Sequence, residues 1–319
     1  MVSEDYFDLF FKLIAVSPHR SMTYGITGNT NKETLWAPVA ALVTWLDEHH
    51  IPFCLHTNVA HGLLERTLVP PSLCRRHSAN NLADQVDIIL SFGGDGTLLR
   101  NAHEIGTLGT PILGVNIGRL GFLADVDVGH VQQTISRLEA GDYSVDARLV
   151  LSVEIEDDEL ERQWALNDVV IARAGPAGLI AIDVVADGTP LNRYWADGLI
   201  FSTPTGSTAY SLAVGGPIVA PGSDVVLLSP IAPHSLTVRP VVLPSGCILE
   251  ARVVGSRHPY VLAIDGQSSL PRNDTVTITI RRAPHRINLV KLTDRHYFRT
   301  LRTKLTWGGG PQGKSNNES

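Results

Sequence analysis

Apolar and polar positions along this chain repeat with two different periods, and the period changes once. The early segment MTYGIT reads as a short strand, and Leu35, Val39, Leu42 and Leu46 then recur at helical spacing. PFCLHT reads as a second strand. VDIILSF is continuously apolar, as expected for a parallel strand buried on both faces. It runs directly into the glycine-rich turn SFGGDGT. Leu98, Leu99, Ala102 and Ile105 predict a helix over Thr97 to Ile105, stopped by Gly106. PILGVN predicts another strand. Val128, Val131, Ile135 and Leu138 predict a helix that ends near Gly141. This βαβα order implies an open parallel sheet.

After Asp142 the period drops to two. Val145, Ala147, Leu149, Leu151, Val153 and Ile155 alternate strictly, which predicts one half-buried strand. EDDE reads as a turn. LIAIDVVADGTPLNRYW predicts a hairpin around Asp187-Gly188, a favoured two-residue turn. VVLLSPI, LTVRPVVL, ILEARVV, YVLAID, TVTITI and INLVKL predict further strands. The expected fold is an α/β N-terminal domain with a parallel sheet, followed by an all-β, sandwich-like C-terminal domain. The expected divisions are residues 1–142, 143–294 and 295–319. The last would hold a basic helix, FRTLRTKLTW, packed back on the first domain, and a disordered tail.

Bulk properties narrow the function classes. A chain of 319 residues accommodates two domains, and 44% hydrophobic with 18% charged residues supports a sizeable core. A net charge of −6 gives no support for a general nucleic-acid or membrane-surface binder. No run approaches the roughly 18 apolar residues of a membrane span. The start, MVSEDYFDLFFKLIAV, carries acidic residues and Lys12 within its apolar run, so an extension or short helix is expected over residues 1–20 rather than a secretion signal. Three cysteines, Cys54, Cys74 and Cys247, are too few and too odd for a disulfide framework. A reducing, cytoplasmic setting is the expectation.

The turn SFGGDGT sets a puzzle. Gly93, Gly94 and Gly96 permit close approach of a ligand to bare backbone, and the amides of a helix starting at Thr97 suit a diphosphate. Yet Asp95, an anion, stands among them. It either caps the helix or accepts a proton from a hydroxyl that attacks a phosphoryl group, with a divalent metal offsetting the charge. Arg100, further along the helix, is either a phosphate partner or an ordinary solvated residue.

A second block, ADGLIFSTPTGSTAYSLAVGGP, crowds Ser202, Thr203, Thr205, Ser207, Thr208, Tyr210 and Ser211 among glycines. Such hydroxyls and backbone amides suit the ribose and base of a nucleotide, and Asp197 is placed to accept from a ribose hydroxyl. LNDVVI and AIDGQ, taken alone, read as turns. Cys54, His56, His61, Cys74 and His77 fall in one region, but the repeated spacing of a structural zinc site is missing, so no protein metal site is expected. No G-x-S-x-G elbow supports hydrolase chemistry.

Together GGDGT (93–97), LNDVVI (166–171), DGLIFSTPTGSTAYSLAVGGPIV (197–219) and DGQ (265–267), with NIGRLGFLADV (116–126) between, resemble the NAD kinase family from about Tyr24 to Trp307. GGDGT alone is shared with diacylglycerol kinases and phosphofructokinases; the long hydroxyl-rich block is the specific element. The resemblance implies phosphoryl transfer from ATP, or polyphosphate, to the adenosine 2′-hydroxyl of NAD, giving NADP, with a divalent ion such as Mg²⁺. It implies Asp95 as the base, with Gly96 and Arg100 near the dinucleotide phosphates. Asn167, Asp168 and Asp197 would hold ribose and base. Thr208, Ala209, Tyr210, Ser211, Leu212 and Ala213 would line the pocket, with Ala232 and Gln267 nearby. It also implies a homo-oligomer, dimer or tetramer, whose dinucleotide site lies partly at subunit contacts. Trp195 departs from the Gly or Arg that relatives often carry two positions before Asp197, and Gly178 stands where some carry a side chain that reaches ligand. The alternatives are a dinucleotide sensor without turnover, or a lipid or sugar kinase sharing GGDGT.

Overall fold

A computed structural model describes residues 21–119, 121–156, 163–175, 178–254, 259–268, 271–272, 275–294 and 296–307. The expectations for residues 1–20 and for the tail beyond Trp307 lie outside that range, as does most of the EDDE turn.

The strands in chain order are β1 (Tyr24–Gly28), β2 (Phe53–His56), β3 (Ser78–Ala79), β4 (Ile88–Gly93), β5 (Ile112–Asn116), β6 (Val126–Asp127) and β7 (Tyr143–Arg148). They continue with β8 (Leu151–Ile155), β9 (Gln163–Ala165), β10 (Asp168–Arg173), β11 (Ile180–Ala186), β12 (Thr189–Ala196) and β13 (Gly198–Ser202). The remainder are β14 (Val225–Ile231), β15 (Val241–Pro244), β16 (Leu249–Val254), β17 (Tyr260–Ile264), β18 (Gln267–Ser268), β19 (Thr277–Arg282) and β20 (Ile287–Leu292).

The first sheet runs β3-β2-β1-β4-β5-β20-β7, with β6 beside β5. It is parallel except where β20 meets β7. As its apolar run predicted, β4 is buried along its whole length. Leu90 and Phe92 join one core with the helices Trp36–Glu48 and Val131–Glu139, while Ile89 faces the helix Asp95–Ile105 through Leu98, Ala102 and Ile105. Helices on both faces explain why this strand shows no alternation.

The second half is a sandwich. One sheet runs β15-β14-β13-β10-β17-β18 and the other β12-β11-β16-β19-β8-β9. Val169, Ile171 and Phe201 from the first meet Ile182, Val253 and Ile280 from the second in one core. The expected hairpin joins β11 to β12, with Asp187 at φ 47° and Gly188 at φ 74°. That geometry matches strand twist at a two-residue turn.

Two expectations need correction. The alternating run from Val145 to Ile155 is not one strand: β7 pairs with β20 in the first sheet, while β8 pairs with β19 and β9 in the sandwich. A period of two shows that a segment is extended but does not choose its partner. By hydrogen bonding, the chain therefore passes between sheets after Arg148 and returns before Ile287, rather than at the expected limits after 142 and 294. Of LTVRPVVL only the last three residues are strand, in Val241–Pro244, which begins just after Pro240, a residue with no amide to donate.

The C-terminal helix, Tyr297–Leu305, touches both parts. Its Tyr297 hydroxyl lies 3.4 Å from the Val219 carbonyl, and the Lys304 ammonium sits 5.4 Å from the centre of the Phe122 ring. Among the described residues no helix is long and apolar enough to cross a membrane.

Candidate active site

The helix after the glycine turn starts at Asp95, two residues earlier than expected, with Gly94 as its cap residue and no side-chain cap. Asp95 does not cap it. Its carboxylate instead accepts backbone N–H groups from a separate loop: Phe122 at 2.8 Å on Oδ2, and Leu123 at 2.9 Å and Ala124 at 3.0 Å on Oδ1. A carboxylate offers about four acceptor positions, so one, on Oδ2, is left over. Gly121 opens this loop because nothing larger fits: a Cβ there would lie 1.9 Å from Asp95 Oδ1.

The three glycines serve different ends. None has a positive φ, so left-handed backbone is not what the turn uses glycine for. Gly93 makes room for Thr97, whose Oγ1 would lie 2.3 Å from a Cβ at that position. Above Gly94 and Gly96 there is open space within 4 Å, where a ligand can approach the backbone. Arg100 points into the exposed surface of the same helix and forms no ion pair among the described residues.

The second part of the site is built around Asp265. Its φ is 47° and that of Gly266 is 80°, so AIDGQ is the tight turn it resembles, joining β17 to β18. The carboxylate, with its side chain 1% exposed, has a role the sequence did not reveal. It accepts the N–H groups of Leu166 (2.8 Å), Asn167 (2.7 Å) and Asp168 (3.1 Å). Its Oδ2 also lies 2.9 Å from His103 Nε2, on the helix that Asp95 begins. The carbonyl side of the same segment is held by the hydroxyl block: Thr203 Oγ1 donates to Leu166 at 2.5 Å, and the Thr203 N–H donates to Asn167 at 2.9 Å. Gly206 must be glycine here, since a Cβ would lie 2.1 Å from the Asn167 carbonyl oxygen. Asn167 and Asp168 are thus clamped from both sides.

Asp168 is 5% exposed. Burial first, and then the charge of Asp265 beside it, push its carboxyl up to about 7, opposed by the Tyr210 N–H that it accepts.

The hydroxyl-rich block differs from expectation. Ser202, Thr203, Ser207 and Ser211 are 0% exposed and are satisfied within the protein. Ser207 Oγ lies 2.7 Å from the Pro204 carbonyl, and Ser211 pairs with Ser229 at 2.8 Å. These hydroxyls shape the loop rather than facing a ligand; a buried hydroxyl must find a partner, and the loop's own backbone is nearest. The Tyr210 side is exposed, Ala213 likewise, and Thr208, Ala209 and Leu212 are partly so.

The site residues expected from sequence in the sandwich fall mainly into two groups. Asn167, Asp168, Tyr210 and Gln267 gather at one end of the β10–β13 and β17–β18 ladders. Asp197 and Ala232 gather at the other, where the Asp197 N–H donates to Ile231, next to Ala232. Asp168 faces Ser202 and Ala172 faces Gly198, so the two ends are roughly 15 Å apart at about 3.4 Å per residue. There Asp197 is paired with Arg173, Nε to Oδ1 2.8 Å. Among the described residues no group of three or more His, Cys, Asp or Glu could hold a metal ion.

The α/β layer supplies a carboxylate fixed at a strand-to-helix turn beside open backbone, the β sandwich supplies a clamped Asn-Asp pair, and the helix that Asp95 begins meets that clamp through His103 and Asp265. Comparison with known proteins gives the family. Residues 24–143 match the ATP-NAD kinase N-terminal domain and residues 166–292 the ATP-NAD kinase C-terminal domain. The chain is 39% identical over 292 residues to an NAD kinase of Bacteroides fragilis, covering 90% of this chain and 98% of that one. It is 37% identical over 283 residues to one of Porphyromonas gingivalis, covering 89% and 97%. Its fold is similar to yeast NADH kinase complexed with NADH (TM-score 0.81, 24% identity, 92% and 90% covered). It is also similar to an Archaeoglobus fulgidus NAD kinase in complex with ATP (TM-score 0.67, 23% identity, 89% and 99% covered). The chain belongs to the NAD kinase family. As a member it is a phosphotransferase that phosphorylates NAD with ATP.

Proposed function

We propose that Asp95 is the general base of this reaction and that the acceptor is the adenosine 2′-hydroxyl of NAD. The supporting observation is the clamp on Asp95. Three amides fix the carboxylate and leave one acceptor position on Oδ2, which would take the proton as the ribose oxygen attacks the terminal phosphorus of ATP. The N–H groups near Gly94 and Gly96 would lie against the dinucleotide phosphates, with Arg100 adding charge. Asn167, Asp168 and Tyr210 would hold the adenosine, with Thr208, Ala209, Leu212, Ala213 and Gln267 around it. Ser211 would act from beneath, through Ser229.

Among the described residues no cluster of acidic, His or Cys side chains forms a metal cage, and the divalent ion, Mg²⁺ by expectation, would enter bound to ATP as part of the substrate. The separation of Asp197 and Ala232 from the Asp168 cluster supports a homo-oligomer in which those two residues complete a neighbouring copy's site. A cytoplasmic location completes the proposal, supported by three free thiols.

The test is NADP formation with ATP and with polyphosphate, alongside NAD lacking the adenosine 2′-hydroxyl. That analogue should inhibit and accept no phosphate. A phosphorylated product from it, seen by phosphorus NMR, would reassign the attacking group. Mixing inactive Asp95→Asn and Asp197→Ala chains should restore part of the activity if sites are shared between copies; no recovery would make Asp197 a residue of its own subunit.

A further inference from the structure

A cavity of about 550 Å³ lies far from Asp95, beyond the other end of its helix. Thr107 lines it, two residues past Ile105. The 11-residue helix between spans roughly 16 Å at about 1.5 Å per residue. Trp164, Arg281, Arg282, His285 and Arg286 form the polar part of the wall, and the crossover after Arg148 forms the apolar part.

The wall is electropositive. It contains no carboxylate among its described residues. Arg281 is engaged with Glu154, but among the described residues Arg282 and Arg286 share one carboxylate, Asp224, at 3.8 and 3.4 Å. Among those residues, one positive charge is left over. His285 Nε2 is buried with no hydrogen-bond partner among the described residues. A buried polar atom without a partner is uncommon and marks a place where a ligand atom can bond. The volume is within the range of small-molecule sites, and paired guanidinium groups favour phosphate or carboxylate.

The cavity is also wired to the site. Trp164 meets His285 edge-on at 5.3 Å between ring centres and stacks on His103 at 3.9 Å. His103 holds Asp265, and Asp265 holds the amides of Leu166, Asn167 and Asp168. Trp164 also lies only two residues before Leu166 in the chain.

We propose that this cavity binds a small organic anion bearing a planar ring, about the size of a mononucleotide, and that occupancy changes dinucleotide affinity through Trp164, His103 and Asp265. The guanidinium pair and His285 take the anionic group, and the planar body lies along the Trp164 side. A ligand that shifts Trp164 shifts the stacked His103, and with it the clamp on Asn167 and Asp168. The coupling is reciprocal: NAD alters the affinity of the anion by the same factor.

The probe is 1-naphthyl phosphate, titrated calorimetrically onto the full chain with and without saturating NAD. Inorganic phosphate (no ring) and 1-naphthol (no charge) are the controls. The probe should bind one per chain in both conditions and more tightly than either control. In the double variant Arg282→Ala, Arg286→Ala its Kd should rise at least about 10-fold, with an unchanged thermal melt and unchanged activity in the absence of probe. The Kd for NAD should change about 5-fold or more when the probe is saturating. His103→Phe, which keeps a ring against Trp164 but loses the bond to Asp265, should bind the probe and lose that change. Failure of the wild type to bind, equal binding by the double variant, or competitive displacement by NAD would overturn the site. An NAD Kd indifferent to the probe would overturn the coupling. Failure of NAD itself to bind would count against the proposed function, while probe binding and its loss in the arginine variant still decide the cavity.

Discussion

Gly121 and Asp95 face each other so closely that a methyl group on Gly121 would lie 1.9 Å from Asp95 Oδ1. The glycine is therefore part of the carboxylate's seat, although 26 positions separate the two in the chain. Gly121→Ala should push the carboxylate off its amides. Displacing a reacting group by about 1 Å costs on the order of 10²-fold in rate, so kcat should fall by that order while the KM for NAD moves little. Overpacking should also cost about 1–3 kcal/mol of stability, read by urea denaturation. A variant with wild-type kcat would show that the seat does not position Asp95 for chemistry.

Asp95→Asn separates the base from the clamp. The amide oxygen can still accept from the 122–124 loop on one side, but the side chain no longer takes a proton. We expect kcat to fall on the order of 10²–10⁴-fold with a much smaller change in NAD affinity. Equal losses in rate and binding would assign Asp95 to structure alone.

Removal of divalent metal tests where the charge is offset. With no cage for the ion among the described residues, metal should be needed in proportion to ATP rather than as one tightly held ion per chain. After exhaustive chelation, activity should vanish and return on titrating Mg²⁺ against ATP. Full activity in the chelated enzyme would exclude a metal-bound donor.

Asp168 should make stability depend on pH in an unusual direction. Its carboxyl is pushed up to about 7 in the fold, chiefly by burial and next by Asp265, while an unfolded aspartate titrates near about 3.9. Between those values the folded state holds a proton that the unfolded state has released. The contribution is thus fully present below about pH 4 and is lost as pH rises through about 7. Asp168→Asn has no such proton, so wild type should lose ground against it between pH 4 and 8, by an amount on the order of a few kcal/mol at most. Urea midpoints at both ends of that range are the measurement. An equal gap between the two proteins at pH 4 and pH 8 would mean that Asp168 does not titrate there.

Much of this molecule is legible along the chain, because the features concerned depend on near neighbours. The buried strand Ile88–Gly93 shows as an unbroken apolar run, and the Asp187-Gly188 hairpin shows in its turn residues, since only local backbone preference is involved. GGDGT and the hydroxyl-rich block are likewise legible as local runs of glycines and hydroxyls, and they mark the two halves of the proposed site. What only the tertiary structure decides is which distant groups meet. The amides of Phe122, Leu123 and Ala124 leave no mark in sequence, because every residue but proline carries an N–H; only the fold turns three of them on Asp95. The hydroxyls of Ser202, Ser207 and Ser211 read as ligand contacts until burial shows them occupied with their own loop. Asp265 reads as a turn residue until the Asn167 segment is folded against it. The alternation from Val145 to Ile155 reports extended backbone, and the two sheets divide it, because a strand's partner is chosen by long-range packing rather than by its own period.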